Sequence, residues 1–377
     1  MPWKEVSRMD QRTQFILQAT ATDANLRAIC RAFQISPTTA YKLLHRFRDS
    51  GHTGLIDRSR TPHRSPRRTP AVVDAAVVAL RQAHPAWGGR KLHAVLVAQG
   101  LPAPHPSTIT DILRRNDLID PTQSAKHRPF QRFEHAAPNE LWQMDFKGHF
   151  ALAAGGRCHP LTVLDDHSRY LLGLVPCGDE RRETVQRALT SIFAEYGLPE
   201  RMVMDNGLPW GGGPEIPYTR LTAWLIRLGI GVSHGRPYHP QTQGKDERLH
   251  RTFREEVLEG HVLVDLPHCA VVFPPWRVEY NEVRPHEAVG LHPPASRYRK
   301  SERSFPAVLP PVEYDAGDVV RKVQGKGEIS FHGRVYVVGH AFAGEPVAVR
   351  ETAEDGLLAV YYCQQRIATL DRRTPPA

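Results

Sequence analysis

Cysteine is scarce in this sequence and widely scattered. Cys30, Cys158, Cys177, Cys269 and Cys363 are the five in a chain of 377 residues, and no two form a CxxC pair. An odd, dispersed set excludes a disulfide framework and a cysteine-built zinc cluster, and reads as reduced thiols. Long apolar runs are missing as well. No stretch approaches the roughly 18–20 apolar residues needed to span a bilayer, and the opening residues MPWKEVSRMDQRTQF lack a signal-type apolar core. The expectation is a cytoplasmic chain with no membrane partner. Acidic surplus is also lacking: 40 Asp and Glu face 49 Lys and Arg, a net +9. That balance points to a polyanionic partner.

What is present supports several folded domains. A hydrophobic content of 41% suffices for real cores, and 377 residues exceed one ordinary domain. The charge is uneven. Residues 1–134 hold 21 Lys and Arg against 10 Asp and Glu, a local +11 that leaves −2 for the remainder. The front third is the electrostatic arm.

Three short helices are expected over residues 8–50. Leu26, Ile29 and Phe33 recur at helical spacing, Gln34-Ile35 makes a tight turn, Ser36 suits an N-cap and Pro37 the first helical position. The last of these helices turns Ala40, Leu43, Leu44 and Phe47 inward and leaves Thr38, Thr39, Lys42 and Arg46 outside. Helix, turn and capped basic helix form a helix-turn-helix pattern, whose last helix enters the DNA major groove; a plain three-helix bundle is the alternative. A basic, proline-punctuated stretch follows, in which Arg64 and Arg67 can track phosphates. Helices at 72–83, 89–98 and 107–115 suggest a second unit of the same kind.

From residue 140 the pattern becomes mixed α/β. Strands are expected at 141–149, 160–164, 170–175, 201–204 and 231–233, with helices at 180–196, 221–228 and 244–258, giving a mixed sheet covered by helices. A proline-rich linker follows. Six short alternating runs after residue 313, with His332-Gly333 as a hairpin turn, predict a small all-β barrel of SH3 type. The expected domains are 1–60, 61–135, 136–290, a linker 291–312, and 313–377.

Three phrases carry chemistry. Asp145 interrupts the apolar strand Trp142–Phe146, Asp205 ends the apolar run Met202–Met204, and Glu247 lies early on a helix after His239-Pro240-Gln241-Thr242-Gln243-Gly244-Lys245-Asp246. Each acid has an ordinary alternative: a carboxylate satisfied by backbone amides, a turn residue, or a surface Glu pairing with Arg251. Together they read differently, because ionised carboxylates in strand interiors are costly unless paired or bound to a cation. Oxygen ligation with open positions suits Mg²⁺ or Mn²⁺, and two such ions support in-line phosphoryl displacement. Lys245, Arg248 and Arg251 lie within a turn or so of Glu247 and are candidate phosphate contacts, or simply cations on a solvated face.

These phrases resemble the catalytic core of retroviral integrases and integrase-type insertion-sequence transposases. The likeness also rests on Asp165-Asp166-His167-Ser168-Arg169-Tyr170, Asn281 and Arg284-Pro285-His286. It implies a ribonuclease-H-like core and an Asp-Asp-Glu triad carried by Asp145, Asp205 and Glu247. It further implies Mg²⁺-dependent end cleavage followed by 3′-hydroxyl strand transfer. Double-stranded DNA, as element ends and target, is the implied partner, held by a dimer or larger multimer in the bacterial nucleoid. The zinc-binding His/His/Cys/Cys head of retroviral enzymes is absent, which favours the bacterial elements. The long Asp205–Glu247 interval accommodates Pro209-Trp210-Gly211-Gly212-Gly213-Pro214, read as an inserted loop that is either a DNA contact or only a surface turn. Two other classes compete. A DNA-binding regulator would leave the acids without purpose, and a ribonuclease-H-like nuclease would cut without joining and have little use for reading heads.

Overall fold

The computed structural model describes residues 7–58, 69–119, 134–213, 216–235 and 244–373. Arg64, Arg67, His239 and the rest of the phrase up to Gln243 lie outside them. The chain divides into two compact units, Met1–Arg68 and Thr69–Ala377.

The first unit is built from three capped helices, α1 (Arg8–Ala19), α2 (Leu26–Ala32) and α3 (Pro37–Ser50). Ser7 and Asp10 close a capping box on α1, Asn25 caps α2, and Ser36 caps α3 by accepting from the Thr39 amide at 3.2 Å. The α2–α3 turn is sharp because Gln34 takes φ +53° and the Ile35 amide returns to the Cys30 carbonyl at 3.0 Å. Phe15, Ile16, Cys30, Ala40, Leu43, Leu44 and Leu55 make the core.

The second unit opens with α4 (Ala71–Ala83), α5 (Gly89–Ala98) and α6 (Pro106–Arg115), packed around Val77, Trp87, Leu92, Leu96, Ile109 and Ile112. Then comes the α/β core: β1 (Leu141–Phe146), β2 (Phe150–Ala151), β3 (Arg157–Asp165), β4 (Leu171–Cys177), α7 (Arg182–Tyr196), β5 (Arg201–Met204), α8 (Arg220–Arg227), β6 (Gly231–His234), α9 (Gly244–Phe253) and α10 (Leu266–Glu282). Strand β3 pairs antiparallel with β1, β4 and the short β2, while β1, β5 and β6 run parallel. This mixed sheet is the ribonuclease-H-like arrangement. On one face, Trp142, Met144, Met202 and Met204 pack with Val185, Leu189 and Phe193 of α7 and with Leu225 of α8. On the other, Leu164, Leu171 and Leu174 meet Leu249 and Phe253 of α9 and Phe273 and Trp276 of α10. A Cβ at Gly173 would crowd the Ile192 side chain of α7 where it packs on β4.

Helix α10 has no counterpart among the expected elements, because Pro267, Pro274 and Pro275 read as breakers. The helix survives them for a positional reason. Pro267 sits in the first turn, where its missing amide costs nothing. Pro274 and Pro275 leave the carbonyls of Ala270 and Val271 without helical donors, and all four residues are exposed, where water replaces the lost bonds.

Residues 291–312, expected as a linker, lie along the core. Tyr298 stacks on Tyr170 at 4.2 Å, the Ser301 amide donates to the Tyr196 carbonyl at 3.0 Å, and Arg227 donates to Pro310 O at 3.0 Å. The tail forms a four-stranded antiparallel sheet in the order β12 (Gln365–Asp371), β11 (Leu357–Tyr362), β10 (Pro346–Glu351), β7 (Val319–Lys322), with a hairpin of β8 (Glu328–Phe331) and β9 (Arg334–Val337). His332 (φ +47°) and Gly333 (φ +75°) make the hairpin turn. The tail packs beside β6, whose Val232 amide donates to Gln365 Oε1 at 3.3 Å. That contact occupies part of an otherwise open sheet edge.

Candidate active site

The sheet register brings the two aspartates together. In the parallel β1–β5 pair, Leu141 faces Arg201, Trp142 faces Met202 and Gln143 faces Val203. Two more residues along each strand put Asp145 level with Asp205, on adjacent strands that lie about 4.8 Å apart. Alternation then sends Trp142, Met144, Met202 and Met204 into the apolar core and leaves both acids on the opposite face, beside α9.

The charge at this end of the sheet is strongly negative. Burial, then the charges of Asp205, Glu180 and Glu247, push the Asp145 carboxyl up to about 7 against the pull of the Phe146 amide. Asp205 is raised too, by burial and by Glu180, although the Gly207 amide donates to it at 3.1 Å. Glu180 is a member that the sequence did not single out. It follows β4 and accepts from His159 at 2.7 Å. Glu247 is exposed, with no ion pair to Arg251. Among the described residues no group of three or more His, Cys, Asp or Glu side chains is placed to hold a metal ion. The chemistry of Asp145 and Asp205 nonetheless suits a divalent cation: two half-buried carboxylates that repel each other, neither in an ion pair with a described Lys or Arg. Glu247 and Glu180 are near enough to raise Asp145 further.

Helix α9 contributes more than Glu247. His250 lies three residues on, where its Nε2 meets the Thr162 hydroxyl at 2.9 Å and its Nδ1 stands 4.0 Å from Asp145 Oδ2. Thr162 also donates to the Asp145 carbonyl at 3.0 Å. Burial lowers the imidazole to about 4, so it is neutral near pH 7. Asp246 is fully enclosed, and burial with the neighbouring Asp145 and Asp166 raises it well above the ordinary range.

Several residues singled out from the sequence have other work here. Lys245 pairs with buried Asp166, which also accepts from Gln143 at 2.6 Å and the His135 amide at 2.9 Å. Asp165 accepts from the Asn139 and Ser168 amides, both at 2.7 Å. The paired acids therefore anchor the β3–β4 turn and the chain leading into β1. Asn281 clamps the start of β4, accepting from the Leu171 amide at 2.8 Å and donating to its carbonyl at 3.0 Å. Arg248 pairs with Glu287 at 2.8 Å, and Arg251 is exposed. In the first unit Thr38, Thr39 and Lys42 stand exposed on α3, whereas Arg46 turns back to donate to the Ile56 carbonyl. The segment read as an inserted loop is anchored at one point: Trp210 is buried and stacks 5.6 Å from Phe146, on the sheet face that packs against α7 and α8.

Family models match nearly the whole length. Integrase core domain models cover residues 135–240 and 228–294, and the C-terminal domain of the IS481 family transposase covers 318–376. The chain belongs to the integrase-core transposases of insertion elements. The transposase also matches a helix-turn-helix domain model at 11–63 and a homeodomain-like one at 39–113. It is 30% identical over 237 residues to the insertion element IS476 39.2 kDa protein of Xanthomonas euvesicatoria, covering 61% of this chain and 66% of that protein. Similarity to the insertion element IS407 31.7 kDa protein of Burkholderia multivorans is 29% over 228 residues, 59% of this chain and 79% of the relative. The simian T-cell lymphotropic virus intasome in complex with PP2A regulatory subunit B56 gamma aligns with 78% of the transposase and 99% of its own chain, at 15% identity and TM-score 0.36. The HTLV-2 integrase catalytic core domain in complex with magnesium aligns with 43% and 98%, at 15% identity and TM-score 0.33. No helix among the described residues is long and apolar enough to cross a membrane.

Proposed function

We propose that the transposase cleaves the DNA ends of its element and joins the resulting 3′-hydroxyls to target DNA by in-line phosphoryl transfer. One observation carries this reading: the β1–β5 register sets Asp145 beside Asp205 on the sheet face that α9, bearing Glu247, covers. These three carboxylates are the proposed catalytic residues and metal ligands. Two Mg²⁺ or Mn²⁺ ions, when bound, would activate the attacking oxygen and stabilise the leaving one. The protein's share is to hold the carboxylates on rigid elements and to keep a neutral His250 against Asp145.

Thr38, Thr39 and Lys42 on α3 are the proposed major-groove contacts, with Arg248 and Arg251 as phosphate contacts near the reacting strand. Lys245 and Arg46, given their internal partners, are assigned to holding the fold. The proposed modules are the helix-turn-helix units at 1–60 and 61–135, the catalytic core at 136–290 and the β tail at 313–377. Concerted joining requires two ends held at once, so a dimer or larger multimer on DNA, in the cytoplasm, completes the proposal.

The test is Glu247→Gln on a duplex carrying the element end. Cleavage and joining should almost vanish while DNA affinity stays. Retained turnover would overturn the assignment of Glu247. If the wild-type chain binds the duplex but yields no cleaved or joined product in Mg²⁺ or Mn²⁺, the regulator reading wins. Cleavage without strand-transfer product would instead favour a nuclease.

A further inference from the structure

Between the second helical unit and the core lies a small cavity lined by Lys91, Arg248, Thr252, Tyr280, Arg284 and Glu287, among others. Its positive charge exceeds what its carboxylates offset. Glu287 is shared by Arg90 at 3.0 Å and Arg248 at 2.8 Å, and Arg284 is held by Glu256 at 3.0 Å. That leaves Lys91, whose ammonium makes no hydrogen bond or ion pair with any described residue although the side chain is half-buried. The carboxylates in its field, Glu256 and Glu287, are already paired with arginines, and a desolvated ammonium without a direct partner is unfavourable. The surrounding field is visible in two other ways. Burial and then the charge of Arg284 bring Lys91 down to about 8, and burial with the same cations holds His286 neutral.

We infer that this cavity is an anion site that seats one non-bridging oxygen of a DNA backbone phosphate, with Lys91 as its principal ligand and Thr252 and Arg248 at its rim. The size fits. A volume of about 20 Å³ holds roughly one water, enough for a phosphate oxygen but too little for a free nucleotide. The location fits as well: Arg248 and Thr252 are one and five residues along α9 from Glu247, so the phosphate would belong to the strand whose reaction is proposed above. The inference rests on that reading of DNA as substrate. Its distinct content is that Lys91, far from the acids in sequence and on another element, fixes the register of the strand.

Fluorescence anisotropy of the full chain with an element-end duplex, across a salt series, tests this, using Lys91→Met and Lys91→Arg. Loss of one phosphate contact should lower the slope of log affinity against log salt by about 0.9, equivalent to roughly eightfold weaker binding at 0.1 M salt. Lys91→Arg should keep the slope. Lys91→Met should also melt no lower than wild type without DNA, because it removes an unpaired buried cation. Unchanged affinity and slope in Lys91→Met, or a lowered melting temperature, overturns the inference by assigning Lys91 no role or a structural one. Wild-type protein that binds no duplex at any salt would instead sink the DNA reading itself.

Discussion

Glu256 offers a quantitative test of how the second helical unit is joined to the core. Its Oε1 accepts from Trp87 Nε1 at 3.2 Å and Arg284 Nε at 3.0 Å, and its Oε2 from Trp276 Nε1 at 3.0 Å. The side chains of Glu256 and Arg284 are 11% and 9% exposed, so the pair is buried. Glu256→Gln keeps the shape and one acceptor oxygen, but the new amide faces a tryptophan N–H, donor against donor, and Arg284 loses its counter-charge. Breaking a buried pair costs about 3–5 kcal/mol; the retained acceptor places the expected loss near the lower end, about 3 kcal/mol. Unfolding entropy of ~2.1 cal/mol/K per residue gives about 0.65 kcal/mol/K for a unit the size of Thr69–Ala377, so melting should fall by about 5 °C. The assay is calorimetry, with Trp87 fluorescence identifying the transition. Adding Arg284→Met should recover part of the loss, because the double variant no longer strands the Arg284 charge, although the glutamine amide still faces a tryptophan N–H. A Glu256→Gln variant that melts with the wild type, or a double variant that falls further, would refute the reasoning.

Two further outcomes follow from the site. Asp145 titrates near 7 in the fold against an ordinary 3.8, so folding takes up a proton between those values and stability from this group declines as pH rises from about 4 to about 7. Without divalent cations, Asp145→Asn should therefore melt higher than wild type at pH 7.5 and alike at pH 4; added Mg²⁺ should raise the wild type alone, and equal Mg²⁺ stabilisation of both would count against Asp145 as a ligand. His250 shifts the other way, from 6.5 down to about 4. The unfolded chain then takes the proton first, and about 3 kcal/mol of stability should be lost as pH falls from 6.5 to 4. In His250→Gln the melting temperature should be flatter across that window, and an unchanged profile would show that His250 is not the group responsible.

Local physics made much of this molecule legible in its residues. Ser36-Pro37 fixed the start of α3, the short alternating runs set all six tail strands, and His332-Gly333 made the hairpin, because caps and turns depend on neighbours a few positions away. Asp145 and Asp205 also stood out in the sequence, since an acid inside or just after an apolar strand contrasts with its own segment. Other features depended on contacts between distant segments. Helix α10 runs through Pro274 and Pro275 where these residues and Ala270 and Val271 are exposed, and no local pattern states which side of a helix is wet. Lys245 resembled a phosphate ligand until the β3–β4 turn put Asp166 against it. Trp210 read as part of an inserted loop, and only the fold stacks it on Phe146. Glu180, His250 and Lys91 gained their significance from position alone: an ordinary glutamate, histidine and lysine become distinctive when burial strips their water and the fold chooses which charges remain beside them.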